Sequence, residues 1–308
     1  MHNHSIVSLS GGLGNQLFQY SYSKYLAKNL NQPVFLDVSW YRFNQSSEGR
    51  RLFLTDLVAS GLNLTDTSNL IERGFLRATS SLRGQNAYRS HLNYIAKGMT
   101  GLQFINDEPL IKNVSKDSYY QGSFSLPHYW TSASISLRDE LSNCLEGYAN
   151  RIQRSFTQEH DLNIHVRRGD YVTSPKTRSF HGYCSTNFYL ESVEKLISEF
   201  STIKSIQIFS DSDEFAQKLR ISLQTFSKAI SVNNRNDSLL ALRDLSNSKF
   251  LIGSNSTFSW WAHALGSHQL SYFPSKWLMG VADSLVTSEN FIGPVVLVNE
   301  ALQDGDES

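Results

Sequence analysis

The sequence contains very little cysteine: Cys144 and Cys184 are its two thiols in 308 residues. They lie far apart and match no metal-binding or redox spacing, which predicts free thiols, a reducing compartment and no zinc site. Net charge is also absent, because 28 Lys and Arg balance 28 Asp and Glu. No global field therefore favours nucleic acid or an acidic membrane face, and any anion site has to be local.

Long apolar runs are missing as well. No stretch approaches the roughly 20 apolar residues of a membrane-spanning helix. Residues 1–5 do not have the basic and apolar regions of a signal peptide, so we expect a soluble, intracellular chain. Two catalytic signatures are also absent, namely the Gly-Lys-Ser/Thr of a phosphate loop and the Gly-x-Ser-x-Gly of many hydrolases. The nine histidines show no metal-ligand spacing.

The chain does have alternating apolar strands and amphipathic helices, typical of an α/β fold with parallel sheets. The first half predicts a strand, a glycine turn, a helix and a strand over residues 5–10, 11–14, 15–30 and 34–37. The pattern is indistinct over 52–113, and a helix is predicted over 132–152. In the second half, further strands are predicted over 205–209, 229–232, 250–253 and 270–273, with helices over 185–200, 214–223, 238–247 and 258–265.

This second series starts at residue 162, so we place a domain boundary near 155. The prediction is an N-terminal domain over 1–155 and a C-terminal domain over 156–308, since chains of this length tend to form more than one core. The strands of the second half carry polar residues at their carboxyl ends, where open α/β sheets bind ligands.

The most informative strand end is the segment 163–171, NIHVRRGDY. Arg167 and Arg168 suit a diphosphate, because Arg offers phosphate oxygens a fixed fork of donors. Gly169 would let the backbone turn sharply behind them. An exposed Arg-Arg pair in a surface loop is the alternative. His165, inside the strand, is interpreted as a hydrogen-bonded core residue.

A second candidate site precedes the helix predicted over 258–265. The hydroxyls of Ser254, Ser256 and Thr257 and the first backbone N–H groups of that helix would attract an anion. An ordinary helix cap is the alternative interpretation. Trp260 and Trp261 follow in a helix that is apolar nearly all round, which is typical of core residues.

Other features leave alternatives open. Gly12 and Gly14 resemble the start of a dinucleotide fingerprint, whose third glycine position is Leu17 here, so a nucleotide-dependent oxidoreductase is one rival hypothesis. Asp211 and Asp213 follow a strand and could bind a base or ribose, or cap the next helix. A non-catalytic glycan- or nucleotide-binding protein is another rival. The glycine turn in one half and the arginines in the other favour a nucleotide-sugar transferase without a metal.

Four sequence blocks together resemble the bacterial α-1,2-fucosyltransferases, glycosyltransferase family 11. They are GGLGNQLFQY at 11–20, HVRRGDY at 165–171, FSDS at 209–212 and SNSTFSWWA at 254–262. The resemblance implies a GT-B fold, in which two Rossmann-like domains face a cleft, with GDP-β-L-fucose as donor and no metal or cofactor. It implies inversion and transfer to O2 of a terminal β-galactose, with an α-1,3 linkage as the closest alternative.

The resemblance also implies partners and a location. The acceptor would be a galactose-terminated oligosaccharide or lipid-linked glycan, as in O-antigen synthesis, and the chain would be cytoplasmic and at most peripheral at the inner membrane. Acceptor choice would reside in about 40–130, where aromatic residues of 119–130 could face a galactose.

Residue roles follow from the same motifs. Arg167 would bind the β-phosphate and replace the divalent ion of other transferases, because fixed cations stabilise the charge that develops on departing GDP. Arg168 and His165 would support it. The implied donor-binding residues are Gly14, Asn15 and Gln16 beside the fucose, Asp211 near the nucleoside, and His165, Arg168, Ser254, Ser256 and Thr257 around the phosphates.

The resemblance leaves two roles open. Asp170 is the family-located carboxylate nearest the leaving group and would be the general base, unless it only holds Arg167 or Arg168 in place. Asp37 and His181 are the reserve candidates for the base. The position at which the family usually has an acidic residue for guanine is occupied by Ala241, with carboxylates one turn away on either side, Asp237 and Asp244.

Overall fold

A computed structural model of the chain describes residues 4–44, 51–58, 60–68, 88–89, 92–93, 95, 102–106, 115–125, 134–153, 160–226, 229–233, 236–279, 285–299 and 302–303. The chain forms two compact units, Met1–Cys144 and Leu145–Ser308. Each contains one parallel sheet accompanied by helices, which confirms the predicted α/β class with two Rossmann-like halves. The predicted boundary at 155 and the acceptor and donor roles of the two domains stay predictions, as does their placement across a cleft.

The described residues of the first unit form five parallel strands in the order β3-β2-β1-β5-β4. The strands are β1 Ser5–Ser8, β2 Val34–Asp37, β3 Leu64–Thr65, β4 Gln103–Asn106 and β5 Ser118–Gln121. The helices are α1 Leu13–Leu30, α2 Ser39–Phe43, α3 Leu54–Leu57 and α4 Ser134–Arg151, the last of which extends into the second unit. The predicted opening βαβ unit is therefore present, whereas the indistinct pattern gave no warning of β3 and β4.

Aromatic side chains fill the core of this unit. Tyr22 of α1 stacks on Phe124, with ring centroids 4.0 Å apart. Tyr119, Tyr120 and Phe124 are fully buried. The expectation that the aromatic segment 119–130 supplies open faces for a galactose is therefore wrong for these three rings, because their apolar surface is already used in the core. Residues 126–130 lie outside the described part of the chain.

In the second unit, the part of the chain that the structure describes forms six parallel strands in the order β11-β10-β9-β6-β7-β8. These are β6 Leu162–Val166, β7 Ser205–Ser210, β8 Ala229–Asn233, β9 Phe250–Ile252, β10 Leu270–Pro274 and β11 Val295–Val298. The helices are α5 Gly169–Thr173, α6 Pro175–His181, α7 Thr186–Glu199, α8 Asp213–Ser222, α9 Ser238–Ser246 and α10 Thr257–Leu265. The predicted strands and helices of this half are each found within a few residues of their expected bounds.

The strand order places the site. The chain runs outward from β6 through β7 to β8 and then returns to β9 on the other side of β6. Ile164 of β6 accordingly pairs with Ile208 of β7 and with Ile252 of β9. The direction of winding therefore changes between β6 and β9, and in open α/β sheets ligands bind at the carboxyl ends of the strands at such a switch point. The Arg-Arg loop and the Ser/Thr segment leave the sheet there.

Cys144 and Cys184 are free thiols, as expected. Within the described ranges, no helix is both long enough and apolar enough to cross a membrane.

Candidate active site

A buried histidine joins the two motifs at the switch point. His165 Nδ1 lies 2.5 Å from Ser259 Oγ and 3.2 Å from Ser254 Oγ, and these two hydroxyls are 3.1 Å apart. Burial, and then the charge of Arg167, lower the pKa of His165 to about 3, so the imidazole is neutral at ordinary pH. The interpretation of His165 as a hydrogen-bonded core residue is confirmed, and the histidine links β6 to α10.

Arg167 points its guanidinium at two carboxylates. One nitrogen donates to Asp211 Oδ2 at 2.6 Å and the other to Asp170 Oδ1, while the ring of Tyr171 lies 5.1 Å from the guanidinium carbon. Burial alone would lower the pKa of Arg167, but attraction to Asp211, then Tyr171 and Asp170, outweighs it and raises the pKa. The side chain is 32% exposed, so a permanent cation is held in a fixed orientation at the surface.

Asp211 holds the loop as well as the side chain. Its Oδ1 accepts from the backbone N–H of Arg168 at 2.7 Å. Gly169 has φ +24°, and a Cβ atom there would meet Asp211 Oδ2 at 2.4 Å. The turn predicted at Gly169 is confirmed, and its glycine is required by the close approach of this carboxylate. Both oxygens of Asp211 therefore contact the arginine loop, and its predicted place near a nucleoside stays a prediction.

The cap of the helix after β7 is a serine. Ser212 Oγ accepts from the backbone N–H of Phe215 at 3.4 Å, and Asp213 is the first residue of α8. The alternative that Asp211 or Asp213 caps this helix is therefore wrong, because the shorter hydroxyl side chain occupies the cap position.

Arg168 faces the interior. It is 4% exposed, donates to the Cys184 carbonyl at 2.8 Å, and packs its guanidinium on the rings of Phe215 and Tyr183. The alternative interpretation, an exposed Arg-Arg pair in a surface loop, is therefore wrong. Only Arg167 is presented at the surface, and Arg168 supports the loop from behind.

The three hydroxyl side chains at the start of α10 differ in their surroundings. Ser254 is 1% exposed and belongs to the His165 cluster. Ser256 is the cap of α10 and accepts from the Phe258 N–H at 3.3 Å, so the helix-cap interpretation is confirmed for this residue. Thr257 begins the helix and is partly buried. Trp260 and Trp261, further along, are core residues as predicted.

Sequence reasoning missed Asn255. Its side chain is 1% exposed and its Nδ2 donates to the backbone carbonyls of His181 at 3.0 Å, Trp277 at 3.2 Å and Gly182 at 3.4 Å. One amide thereby fixes the loop after β9 to the end of α6. An asparagine between two serines before a helix reads as turn chemistry, so the sequence carried no signal for this role.

The glycine turn of the first unit lies slightly earlier than predicted. Gly11 has φ +77°, a left-handed conformation, and Gly12 is the cap position of α1. Gly14 and Asn15 lie in the first turn of the helix. The amide of Gln16 is fully buried and contacts only backbone groups in the hydrogen bonds found for it, at Gly11, Arg51, Phe53 and Leu54.

The structure therefore gives Gln16 a structural role, in which it anchors residues 51–54 on α1. Contact of Gly14, Asn15 and Gln16 with a donor sugar stays a prediction.

The three candidate bases differ in their surroundings. Asp170 is 28% exposed and paired with Arg167, which is the holding role considered as its alternative. His181 stacks on Tyr171 with centroids 4.5 Å apart, and burial lowers its pKa although Asp170 opposes this. Asp37 is fully buried at the end of β2.

Asp37 accepts five hydrogen bonds. Ser39 and Thr67 each donate a backbone N–H and a hydroxyl, and the Tyr119 hydroxyl donates at 2.6 Å. This carboxylate joins three segments of the first unit, so its role in the structure is architectural.

The carboxylates on either side of Ala241 are also engaged. Asp237 caps α9 by accepting from two backbone N–H groups, and it accepts from the Tyr148 hydroxyl at 2.7 Å. Asp244 is 5% exposed and paired with Arg243 at 2.7 Å. Guanine recognition by either residue stays a prediction.

A cavity of about 840 Å³ lies beside the arginine loop, between α5, the start of α7 and α8. Its lining includes Arg168, Tyr183, Thr186, Asp211, Phe215 and Lys218. Across the described ranges no group of three or more His, Cys, Asp or Glu could hold a metal ion.

Comparison with known proteins gives a family and two bacterial relatives. The model of glycosyl transferase family 11 matches residues 5–273. An alpha-1,2-colitosyltransferase of Escherichia coli is 26% identical over 288 residues, which cover 88% of this chain and 91% of the relative. The O-antigen biosynthesis glycosyltransferase WbnK of Escherichia coli is 26% identical over 306 residues, which cover 92% of this chain and 98% of the relative.

Two crystal structures are similar at lower identity. POFUT1 in complex with GDP is 13% identical, with a TM-score of 0.48 over 88% of this chain and 98% of that chain. The alpha-1,6-fucosyltransferase NodZ co-crystallized with GDP is 11% identical, with a TM-score of 0.46 over 86% of this chain and 93% of that chain. Both TM-scores are below 0.5, so neither structure decides the fold or function of this chain.

Proposed function

Because the chain belongs to glycosyl transferase family 11, we propose that it is an inverting, metal-independent galactoside α-1,2-L-fucosyltransferase. It would move L-fucose from GDP-β-L-fucose to O2 of a terminal β-galactoside in O-antigen or related glycan synthesis. The rival hypothesis of a nucleotide-dependent oxidoreductase is wrong, since the family is one of glycosyltransferases.

The observation that carries the proposal is the fork of Arg167. A permanent cation stands at the carboxyl end of the central strand, at the switch point, and is aimed by Asp170 and Asp211. His165, on the same strand, hydrogen-bonds to Ser259 and Ser254 and so ties the start of α10 to this strand. A permanent cation and a helix N-terminus at one strand end favour a diphosphate, whose oxygens would replace the two carboxylates on Arg167.

The reaction breaks the bond between C1 of fucose and the β-phosphate oxygen, and GDP leaves with an added negative charge. Arg167 would stabilise that charge more in the transition state than in the ground state. The acceptor O2 forms the new bond to C1 from the opposite face and loses its proton. In this scheme Asp170 accepts that proton after Arg167 has turned toward the phosphate.

The linkage is supported by one relative, and the fucose donor is supported by the sequence blocks. The colitosyltransferase of Escherichia coli carries an alpha-1,2 linkage in its name, which favours O2 over an α-1,3 product. The same relative makes a colitosyl group the second candidate for the transferred sugar.

The direct test incubates the chain with GDP-fucose and a panel of β-galactosides in the presence of EDTA, and determines the product linkage by NMR. We expect a product in which the β-galactoside carries L-fucose in α-1,2 linkage, and we expect full activity in the presence of the chelator. An α-1,3 product would change the linkage, loss of activity in EDTA would end metal independence, and exclusive use of a colitosyl donor would change the sugar. Binding of GDP-fucose with neither transfer nor hydrolysis would favour the non-catalytic rival.

Asp170→Asn separates the two readings of Asp170. A general base predicts lost turnover with unchanged affinity for GDP, since the asparagine oxygen can still accept from Arg167. A holding role predicts that GDP affinity changes together with turnover. Retained turnover would remove Asp170 as the base. Glu194→Gln, at an exposed carboxylate on α7, is the matched control.

A further inference from the structure

The structure leaves one large aromatic ring exposed close to Arg167. Phe180 of α6 is 46% exposed. The other large apolar side chains that are exposed in the described ranges are aliphatic, namely Leu64, Ile152, Ile221, Leu285 and Val296. Exposure alone would mean little, because isolated apolar residues are common on protein surfaces. The position of this ring relative to Arg167 is what indicates a binding role.

A row of three contacts through aromatic rings connects Phe180 to Arg167. The guanidinium carbon of Arg167 lies 5.1 Å from the Tyr171 ring, Tyr171 stacks on His181 at 4.5 Å, and Phe180 meets His181 edge-on at 5.0 Å. Each step is about the width of one sugar ring. The exposed ring is therefore within a few sugar lengths of the cation that would hold the leaving phosphate.

The backbone under Phe180 is fixed on several sides. Its carbonyl accepts from the Met279 N–H at 2.9 Å, and the next carbonyl, of His181, accepts from buried Asn255 at 3.0 Å. Gly182 then ends the helix with φ +62°, and a Cβ atom there would meet Leu302 Cβ at 2.8 Å. The backbone that carries the ring is thus held in place from several directions.

We infer that Phe180 is a stacking face for a sugar ring of the acceptor glycan, an inference that rests on the proposed transfer reaction. The apolar face of a pyranose packs on an aromatic ring, and a rigid ring costs little conformational entropy on binding. The site lies in the second unit, whereas acceptor choice was expected in residues 40–130, whose described aromatic rings at 119, 120 and 124 are buried.

The test compares Phe180→Ala, Phe180→Leu and Phe180→Trp with the parent, using lactose as the reference acceptor. For Phe180→Ala we expect the acceptor KM to rise about tenfold, since 1.4 kcal/mol of lost contact is a factor of ten. The kcat, the KM for GDP-fucose and donor hydrolysis without acceptor stay as in the parent. Phe180→Trp should retain the parental acceptor KM. Phe180→Leu should show the same rise in acceptor KM as Phe180→Ala, because leucine lacks an aromatic face although it keeps apolar area.

Ile221→Ala, at a 59% exposed aliphatic side chain on α8, is the matched control and leaves all constants unchanged. The inference is overturned if Phe180→Ala keeps its acceptor KM within about twofold of the parent, if it lowers kcat alone, or if Phe180→Leu equals the parent. Unfolding temperatures identify any variant that is merely misfolded, and Phe180→Leu then decides if Phe180→Ala is misfolded.

Acceptor binding without donor separates this inference from the proposed function. Saturation-transfer NMR measures lactose binding to the parent and to Phe180→Ala. A parent that binds lactose but transfers nothing refutes the function, and loss of binding in the variant still supports the stacking role. Undiminished binding and transfer in the variant refute the stacking role and leave the function standing. A parent that neither binds nor transfers refutes both.

Discussion

Arg167→Lys keeps the positive charge at the centre of the site and removes its fork. In the parent, two nitrogens of one planar group reach Asp211 and Asp170 at the same time, and the same pair would reach two oxygens of a phosphate. Lysine offers a single ammonium on a flexible stem. Loss of one fixed donor to a developing anion typically costs about 3 kcal/mol, so kcat should fall roughly a hundredfold or more.

The assay measures initial rates of fucose transfer to lactose at saturating acceptor, together with the Kd for GDP. We expect a large fall in kcat and a smaller change in GDP affinity, because the charge is kept and the alignment is lost. Arg220→Lys on α8 is the matched control, since this arginine donates to Gln217 within its own helix. Transfer by Arg167→Lys at the parental rate would refute the role of the fork.

Three further predictions concern the supports of the site. Gly169→Ala should abolish most turnover by pushing Asp211 away, whereas Gly12→Ala should be tolerated because a Cβ atom there meets nothing within 4 Å; transfer rates check both. The folded pKa of His165, about 3, lies below its ordinary 6.5, so its contribution to stability is complete above pH 6.5 and is lost as the pH falls, by about 2 kcal/mol at pH 5. Urea unfolding at pH 7 and pH 5 should show that the free energy of unfolding falls less for His165→Gln than for the parent. An equal fall in both proteins would contradict this prediction. Asp37→Asn should lower the free energy of unfolding by about 3 kcal/mol, because it disturbs a carboxylate that accepts five hydrogen bonds. Normal stability with lost turnover would instead indicate a catalytic role.

The sequence predicted the second unit well because its signals are local. Strands such as β9 are fully buried and apolar, and helices such as α7 have a clear apolar face, so periodicity marks both. The cap at Ser256 and the buried pair Trp260 and Trp261 also depend on neighbours in the chain. These features were therefore visible before the fold was known.

Other features depend on contacts between distant residues. Asp211 meets Arg167 across 44 positions, and Asn255 meets His181 across 74. Neither partner can be read from a pattern of neighbours. The burial of Arg168 was hidden for the same reason, because the rings that cover it follow later in the chain. The short helices α5 and α6 have too few turns to give a period.

The paired state of Arg167 also bears on how the enzyme lets go of its product. Asp170 and Asp211 serve as counter-ions of Arg167, so under the proposed reaction a departing nucleotide would leave no bare cation behind. Under the proposed reaction the site works as an ion exchanger, in which carboxylate and phosphate replace one another on a single guanidinium. GDP then binds less tightly than an open arginine would allow, and its release need not limit the rate of turnover.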